Sequence, residues 1–301
     1  MIDCACVKRL TLACLSAAGL ALAGLAIHFL LPGETVYHGK RLSAWVADLH
    51  PRVVEAKQQE AELALRAIGT NAVPYLLELL QHQEPRLLRG LRDFSQRTKT
   101  FLRMPSELEL PWVAVVERDL QLNAAFAALG PSARPALPAL TNLLLRPETT
   151  AVAASTLARL GSEALGPLTR ALESPHREVR AAAAGALGTV PDDLAHILPA
   201  LRKALADPDK FVRINAVVSL GQIAESKPEA VLDDLIRGLR DTSPSVKVFA
   251  ADFLARLGKG ARPAVPELVS MAEGLDRLAS GKALSALKQI DPETAARLEA
   301  D

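Results

Sequence analysis

Cysteine is nearly absent from this 301-residue chain, and its three cysteines, Cys4, Cys6 and Cys14, all lie within the first fourteen residues. The remaining sequence offers no disulfide framework, no thiol nucleophile and no thiolate zinc site. We interpret Cys4 and Cys6 as ordinary thiols beside an apolar segment rather than as metal ligands. The chain is therefore predicted to have no metal site and to use no cofactor.

Aromatic residues and an excess of charge of one sign are also lacking. Aromatics make up 4% of the chain although 50% of its residues are hydrophobic, so the core must consist of Ala, Leu and Val. Alanine and leucine are among the best helix formers, and such a core favours closely packed helices. The 35 basic and 34 acidic residues leave a formal net charge of +1, which gives no general attraction to nucleic acid or anionic lipid.

The sequence also lacks the usual motifs of catalysis. No two of its six histidines are three or four residues apart, and it has neither a Gly-rich phosphate loop nor a Gly-x-Ser-x-Gly sequence. The pairs Asp192-Asp193 and Asp233-Asp234 are interpreted as acidic residues in helices, placed to favour the positive end of the helix dipole. We therefore predict no catalytic residue, no enzymatic activity and no small-molecule substrate.

One long apolar run is present, and it lies near the N-terminus. Residues 10–31 contain no formal charge, and at about 1.5 Å per residue a helix of this length can cross a hydrocarbon core about 30 Å thick. Lys8 and Arg9 precede the run, and positive charge favours the cytoplasmic side. Residues 1–9 are therefore predicted to form a cytoplasmic tail, with the rest of the chain extracytoplasmic, which for a bacterial protein is the periplasm.

Signal cleavage is the alternative to a retained anchor. Ala21-Leu22-Ala23 fits the small-x-small pattern of a signal peptidase site, and cleavage would make the protein secreted. The apolar run continues past this point to Leu31, which favours an uncleaved signal-anchor. Residues 32–57 are predicted to form a juxtamembrane linker with a short amphipathic helix around Trp45, which either caps the repeats or lies at the membrane interface.

The rest of the chain repeats itself. The stretch LGPSARPALPAL, residues 129–140, returns as LGKGARPAVPEL, residues 257–268. Apolar residues recur at intervals of 30 to 34 residues after a first interval of 61, and residues three, four and seven apart share one helix face. The central column of that face is almost entirely alanine: Ala61, Leu122, Ala153, Ala183, Ala216, Ala250 and Ala283.

Each unit continues with a turn and a second helix. Glycine, which accepts the left-handed conformation that ends helices, follows four of the first helices. Proline comes a few residues later, where the first turn of a helix tolerates it. These positions are Gly69, Gly130, Gly161 and Gly258, and Pro74, Pro135, Pro167 and Pro263. Ser174-Pro175, Asp207-Pro208 and Ser243-Pro244 are interpreted as start signals of the next first helices.

The combined pattern, D/S-P-x(1–3)-V-R/K-x-x-A-x-x-x-L followed by G-x-x-A-x-P-x-L, resembles HEAT repeats, and in particular the short bacterial kind related to phycobilisome lyase repeats. The resemblance covers roughly residues 58–301 and fits best over about 177–276. It implies an all-α fold: an α-solenoid of about seven helix-turn-helix repeats, here preceded by the transmembrane helix. A lyase or isomerase activity of the phycobilin-lyase class, or an accessory role to such an enzyme, is an alternative that the resemblance leaves open.

The resemblance also implies a function, that of a non-enzymatic scaffold binding a protein or peptide on its concave face. In this family geometry the second helix of each unit lines that face. Exposed cations of the second helices are then the candidate contacts: Arg170, Arg202, Lys203, Arg237 and Arg240.

The first interval of 61 residues has room for two units, of which the second, about residues 85–116, departs from the pattern. Between residues 86 and 104 it carries six basic residues against one acidic residue. Binding of anionic lipid or nucleic acid through segment 86–103 is therefore a further alternative, although nucleic acid is the less favoured partner because few aromatics are available for base stacking. The basic residues are Arg86, Arg89, Arg92, Arg97, Lys99 and Arg103.

The predicted anchor can be tested by placing charge at its centre. The double variant Leu20→Arg/Ala21→Arg should release the protein from carbonate-washed membranes, because each arginine at the centre of a membrane helix costs about 2.5–3.5 kcal/mol. The wild-type chain should stay in the pellet, and a chain that starts at residue 33 should be soluble. Retention of the double variant in washed membranes would contradict the prediction.

Overall fold

The computed structural model describes residues 35–50, 53–81, 114–190 and 193–300. They divide into two compact units, with the boundary between Pro135 and Ala136. No helix among these residues is both long and apolar enough to cross a bilayer. The predicted anchor, residues 10–31, and the basic segment 86–103 lie outside the described part of the chain.

The described part of unit 1 begins with a hairpin and continues with helices. Tyr37 of strand β1 (Val36–Tyr37) pairs with Lys40 of strand β2 (Lys40–Arg41). The two residues between them, His38 and Gly39, both have positive φ, which matches the twist of a tight hairpin. The described elements of unit 1 are β1 (Val36–Tyr37), β2 (Lys40–Arg41), α1 (Leu42–Asp48), α2 (Glu55–Ile68), α3 (Val73–Gln81) and α4 (Ala114–Leu129).

The short helix α1 covers one side of the helices that follow it. Its apolar residues Leu42, Trp45 and Val46 are buried, and α1 packs against both α2 and α4. The Trp45 side chain is only 4% exposed, and its Nε1 donates a hydrogen bond to the Tyr37 carbonyl at 3.2 Å. Of the two roles predicted for this segment, this packing supports the cap, since a tryptophan at a membrane interface would present its ring to lipid.

Unit 2, described at residues 136–190 and 193–300, is built of α-helices. First helices and second helices alternate along the chain, which confirms the predicted all-α repeat fold. The helices of unit 2 are α5 (Leu137–Leu144), α6 (Thr150–Ala158), α7 (Leu165–Ala171), α8 (Arg177–Leu187), α9 (Leu194–Ala204), α10 (Lys210–Ala224), α11 (Pro228–Leu239), α12 (Pro244–Leu257), α13 (Val265–Ala272), α14 (Arg277–Ile290) and α15 (Pro292–Ala300).

The turns within the units follow the predicted glycines. Gly69, Gly130, Gly161 and Gly258 all have positive φ, between 52° and 74°, and each opens a short 3₁₀ helix. The position predicted for two prolines is wrong, however. Pro135 and Pro263 lie inside the 3₁₀ helices, and the α-helices that follow begin two residues later, at Leu137 and Val265.

The starts of the first helices also differ from the prediction in two of three cases. Helix α12 begins at Pro244 as expected, with Ser243 as its N-cap. Helix α10 begins only at Lys210, because the side chain of Asp209 caps it by accepting a hydrogen bond from the Phe211 N–H at 2.8 Å. Helix α8 likewise begins two residues after Pro175.

Close packing of successive first helices holds unit 2 together. Each of α6, α8, α10 and α12 packs along the next first helix, and the predicted alanine column is fully buried between them. Small residues let the backbones approach. The buried Ser219 hydroxyl of α10 donates a hydrogen bond to the Ala184 carbonyl of α8 at 2.7 Å, and a Cβ added at Gly221 would lie 2.2 Å from the Phe253 ring of α12.

The second helices pack on first helices, most closely on that of the following repeat, but touch each other at far fewer places. Unit 2 therefore has two unlike layers, a tightly packed layer of first helices and a more open layer of second helices.

Gly221→Ala should destabilise the protein by about 1–3 kcal/mol, because the added methyl group collides with a ring held in a packed interface. Thermal unfolding of the full-length chain measures the effect. Gly281→Ala in α14 is the matched control, since no described atom beyond its chain neighbours and the backbone of its own helix lies within 4 Å of the position that its added methyl group would take. This control should stabilise the helix by about 0.5–1 kcal/mol, and equal Tm values for the two variants would contradict the packing described.

Candidate functional site

Two arginines near the starts of first helices each bind an aspartate in the loop that begins the next helical repeat. We call each such arginine–aspartate pair a clamp. Arg180 of α8 binds Asp207 with two parallel hydrogen bonds, of 2.7 Å from Nε and 3.0 Å from Nη2. Arg213 of α10 binds Asp241 with the same two atoms at the same two distances. In each pair both side chains are 11–15% exposed. Bidentate, partly shielded pairs of this kind are stronger and more directional than ordinary surface ion pairs.

Each arginine also holds the loop that precedes its own helix. Nη1 of Arg180 donates to the Ser174 and Pro175 carbonyls at 3.0 and 3.2 Å. Nη1 of Arg213 donates to the carbonyls of Asp207 and Pro208 at 2.8 and 3.1 Å. One guanidinium therefore fixes two consecutive loops at once.

The aspartates complete the clamp from the other side. The Oδ1 atom of Asp207 accepts the Asp209 N–H at 2.8 Å, and Oδ1 of Asp241 accepts the Ser243 N–H at 2.7 Å. Burial by itself would raise the pKa of Asp207, but the hydrogen bonds from Arg180 and the Asp209 N–H, with the nearby arginine charges, outweigh it and leave the pKa lowered. The hydrogen bond with Asp241 raises the pKa of Arg213, so Asp207 and Arg213 are charged at neutral pH.

The five cations predicted to contact a partner lie on or at the ends of the second helices, but three of them are engaged within the chain. Arg202 of α9 binds Asp234 of α11 at 2.9 Å, and Lys203 binds Glu173 at 2.9 Å. Arg240, just after α11, pairs with Glu267 of α13, with Nε 3.1 Å from Oε1. These pairs connect neighbouring second helices and give three of the candidates a structural role.

The remaining two candidates are free of carboxylate partners among the described residues. Arg170 and Arg237 are both exposed, and the Nε atom of Arg170 donates only to the Gly166 carbonyl of its own helix at 3.3 Å. These two side chains are the ones available to an external group.

Some acidic residues of the second-helix layer are likewise paired within the chain, and others are exposed. Hydrogen bonding to Lys203 lowers the pKa of Glu173, and hydrogen bonding to Arg240 lowers that of Glu267. Asp234 is only 2% exposed and lies in the middle of α11, so its interpretation as a residue placed for the helix dipole is wrong: it is the buried partner of Arg202. Its neighbour Asp233 is exposed.

An open cleft of about 270 Å³ lies between α11 and α13. Leu239 and Met271 give it apolar walls, while Arg240, Glu267 and Lys247 give it charge. Pro266 and Ser270 complete the lining.

No group of three acidic, histidine or cysteine side chains in the described ranges is arranged to hold a metal ion. His196 is exposed and forms a hydrogen bond with its own helix N-cap, Asp193, at 2.7 Å. The basic segment 86–103 and the three cysteines lie outside the described residues.

Sequence reasoning missed the clamp residues Asp207 and Asp241 as partners of Arg180 and Arg213. The signal that could have found them is the interval of 27 and 28 residues within the two pairs, a little less than one repeat length.

Comparison with known proteins agrees with this fold. The family described as HEAT repeats matches residues 167–242. Among solved structures, Kap121p is 15% identical with a TM-score of 0.51 over 86% of this chain and 31% of its own. An engineered protein is 21% identical, with a TM-score of 0.39 over 84% of this chain and 97% of its own.

A computationally designed armadillo repeat protein for modular peptide recognition is 20% identical, with a TM-score of 0.39 over 73% of this chain and 100% of its own. At these identities the likeness concerns the fold alone. No curated protein matches the sequence.

Asp207→Asn should lower the free energy of unfolding at pH 7 by about 1–3 kcal/mol, because it removes the charge from a partly buried, doubly bonded pair. Since the pKa of Asp207 is lowered by folding, its contribution is complete above the unfolded value of about 3.9 and is lost as the pH falls through the folded value. The difference between variant and wild type should therefore shrink in acid.

Unfolding by urea at several pH values measures both effects. Asp233→Asn, on an exposed carboxylate of α11, is the control and should change the stability by less than about 0.5 kcal/mol. A constant difference between Asp207→Asn and wild type down to pH 2 would contradict the role assigned to the charge.

Proposed function

We propose that this protein is a membrane-anchored scaffold that binds a protein or peptide partner and catalyses no reaction. The observation that carries the proposal is the layer of second helices in unit 2. Stacked helical units present extended surfaces of this kind, and such surfaces bind proteins. The more open spacing of the layer leaves a cleft of about 270 Å³ between α11 and α13 that a side chain can enter.

The charges of this layer favour a protein over a uniform polyanion. Arg170 and Arg237 are exposed and have no carboxylate partner among the described residues, but exposed Asp233 lies on the same helix as Arg237. Glu173 and Glu267 add negative charge beside their partners. A surface of mixed sign selects a partner with a complementary pattern of both signs, whereas the phosphates of a nucleic acid would meet repulsion at each carboxylate.

The proposal includes the position of the scaffold in the cell. Residues 10–31 serve as an uncleaved signal-anchor, residues 1–9 stay in the cytoplasm, and the repeats face the periplasm. The apolar length of the segment and the positive charges of Lys8 and Arg9 support this orientation.

The test is capture of a partner by the full-length chain in detergent-solubilised membranes, with identification by mass spectrometry. We expect at least one protein to be enriched reproducibly. The double variant Arg170→Ala/Arg237→Ala should reduce the recovered partner roughly 5- to 30-fold, because exposed ion pairs contribute up to about 1 kcal/mol each.

Arg159→Ala is the matched control, since Arg159 is exposed but follows a first helix, α6. It should leave the recovery unchanged. No enriched protein in repeated experiments, or turnover of a small molecule by the purified chain, would refute the proposal.

A further inference from the structure

The clamp position recurs in every helical repeat from α6 to α14, and the residue type at this position changes from one repeat to the next. On the first helices it is occupied by Thr150, Arg180, Arg213, Lys247 and Ser280. On the loops that start the next units, the matching acceptor positions are Ser174, Asp207, Asp241 and Gly274.

The backbone shows that these acceptor positions are equivalent. The N–H of Asp207 donates to the Ala204 carbonyl at 3.2 Å, and the N–H of Asp241 donates to the Gly238 carbonyl at 3.3 Å. The N–H of Gly274 makes the same bond with the Met271 carbonyl, at 3.3 Å. Gly274 therefore stands where the two aspartates stand, but it has no carboxylate.

The chemistry of each helix position matches that of the loop that follows it, with one exception. Thr150 precedes a loop with Ser174, and both are uncharged. Arg180 and Arg213 precede loops that carry an aspartate and bind it. Lys247 carries the same charge as these arginines, but it precedes Gly274, and none of the described carboxylates forms an ion pair with it. Lys247 is the cation of an incomplete clamp.

The incomplete clamp opens into the cleft between α11 and α13, which Lys247 lines. Leu239 and Met271 are only 3% and 6% exposed, so the accessible apolar surface of the cleft comes mainly from Pro266, which is exposed. Arg240 lies on the rim, held by Glu267. Arg237 lies one turn before Arg240 on the same side of the helix, so it adds a second cation near Arg240. The cleft thus combines a free ammonium group with an apolar surface.

We infer that this cleft binds an acidic side chain of a peptide segment of the partner, whose carboxylate pairs with Lys247 as Asp207 pairs with Arg180. The inference rests on the proposed function, since it names the chemistry of the partner. A single ion pair at a partly exposed site contributes little, so the affinity must also come from aliphatic neighbours of the acid that lie on Pro266. A peptide with alternating aliphatic and acidic residues supplies both groups.

Binding is measured by fluorescence anisotropy with the full-length chain in detergent. The probe is a fluorescein-labelled peptide (Gly-Leu-Asp)₄, and its amide counterpart (Gly-Leu-Asn)₄ is the reference. We expect the acidic peptide to bind roughly tenfold more tightly and to lose this advantage at high salt. Equal binding of the two peptides would overturn the inference.

Variants of Lys247 test the site itself. Lys247→Met should weaken binding of the acidic peptide roughly 5- to 10-fold and leave the amide peptide unaffected, while Lys247→Arg should preserve binding. Lys259→Met, on an exposed lysine of the 3₁₀ helix before α13, is the control and should bind as wild type does. Unchanged affinity in Lys247→Met would overturn the inference.

Gly274→Asp completes the clamp from within the chain. The added carboxylate should occupy Lys247, weaken peptide binding as much as Lys247→Met does, and leave Tm unchanged or higher. The Cβ position lies 3.2 Å from the Met271 carbonyl oxygen, so the loop must shift slightly. A folded Gly274→Asp variant that binds the peptide normally would overturn the inference, and if this variant does not fold, the Lys247 series decides alone.

Two further outcomes separate this inference from the scaffold proposal. If membrane capture recovers a partner equally with wild type and Lys247→Met, the cleft assignment is wrong and the scaffold stands. If no partner is recovered at all, the scaffold itself is wrong. Displacement of the peptide by succinate at equal concentration would assign the cleft to small carboxylates and overturn a peptide as the occupant.

Discussion

The contact between one first helix and the next is the interaction on which the rest of unit 2 depends. A unit of two helices and about 30 residues cannot bury an apolar face by itself, and the neighbouring unit completes its core. Alanines such as Ala216 and Ala250, and glycine at position 221, bring these helices close enough to exclude water along their length. The stability of each unit is therefore largely a property of its interface.

The close contact also places the polar groups. Because successive first helices are held in a fixed register, the loops at their starts come within reach of one another, and Arg180 and Arg213 bridge them. The second helices follow at a wider spacing and are joined by ion pairs near solvent, such as Lys203 with Glu173. The tight layer carries the fold, and the open layer is the surface that we propose for recognition.

The sequence predicted what depends on local periodicity and missed what depends on the distance between units. The alanine column and the turn glycines, among them Gly258, were predictable because helix geometry and positive φ restrict those positions to small residues. The burial of Asp234 was not, because its partner Arg202 lies 32 residues away on another second helix. The candidate cations were placed on the correct helices, but a pattern within one helix cannot show which of them the next helix neutralises.

The unequal clamps give the array a gradient of cooperativity. In a stack of units that touch only their neighbours, unfolding spreads from one interface to the next, and the weakest interfaces open first. Arg180 and Arg213 add charged clamps between the loops of the repeats from α8 to α12, whereas Thr150 with Ser174 before them and Lys247 with Gly274 after them form no such ion pair. We therefore expect the loop at Gly274 to open at a lower free energy than the loops that Arg180 and Arg213 hold.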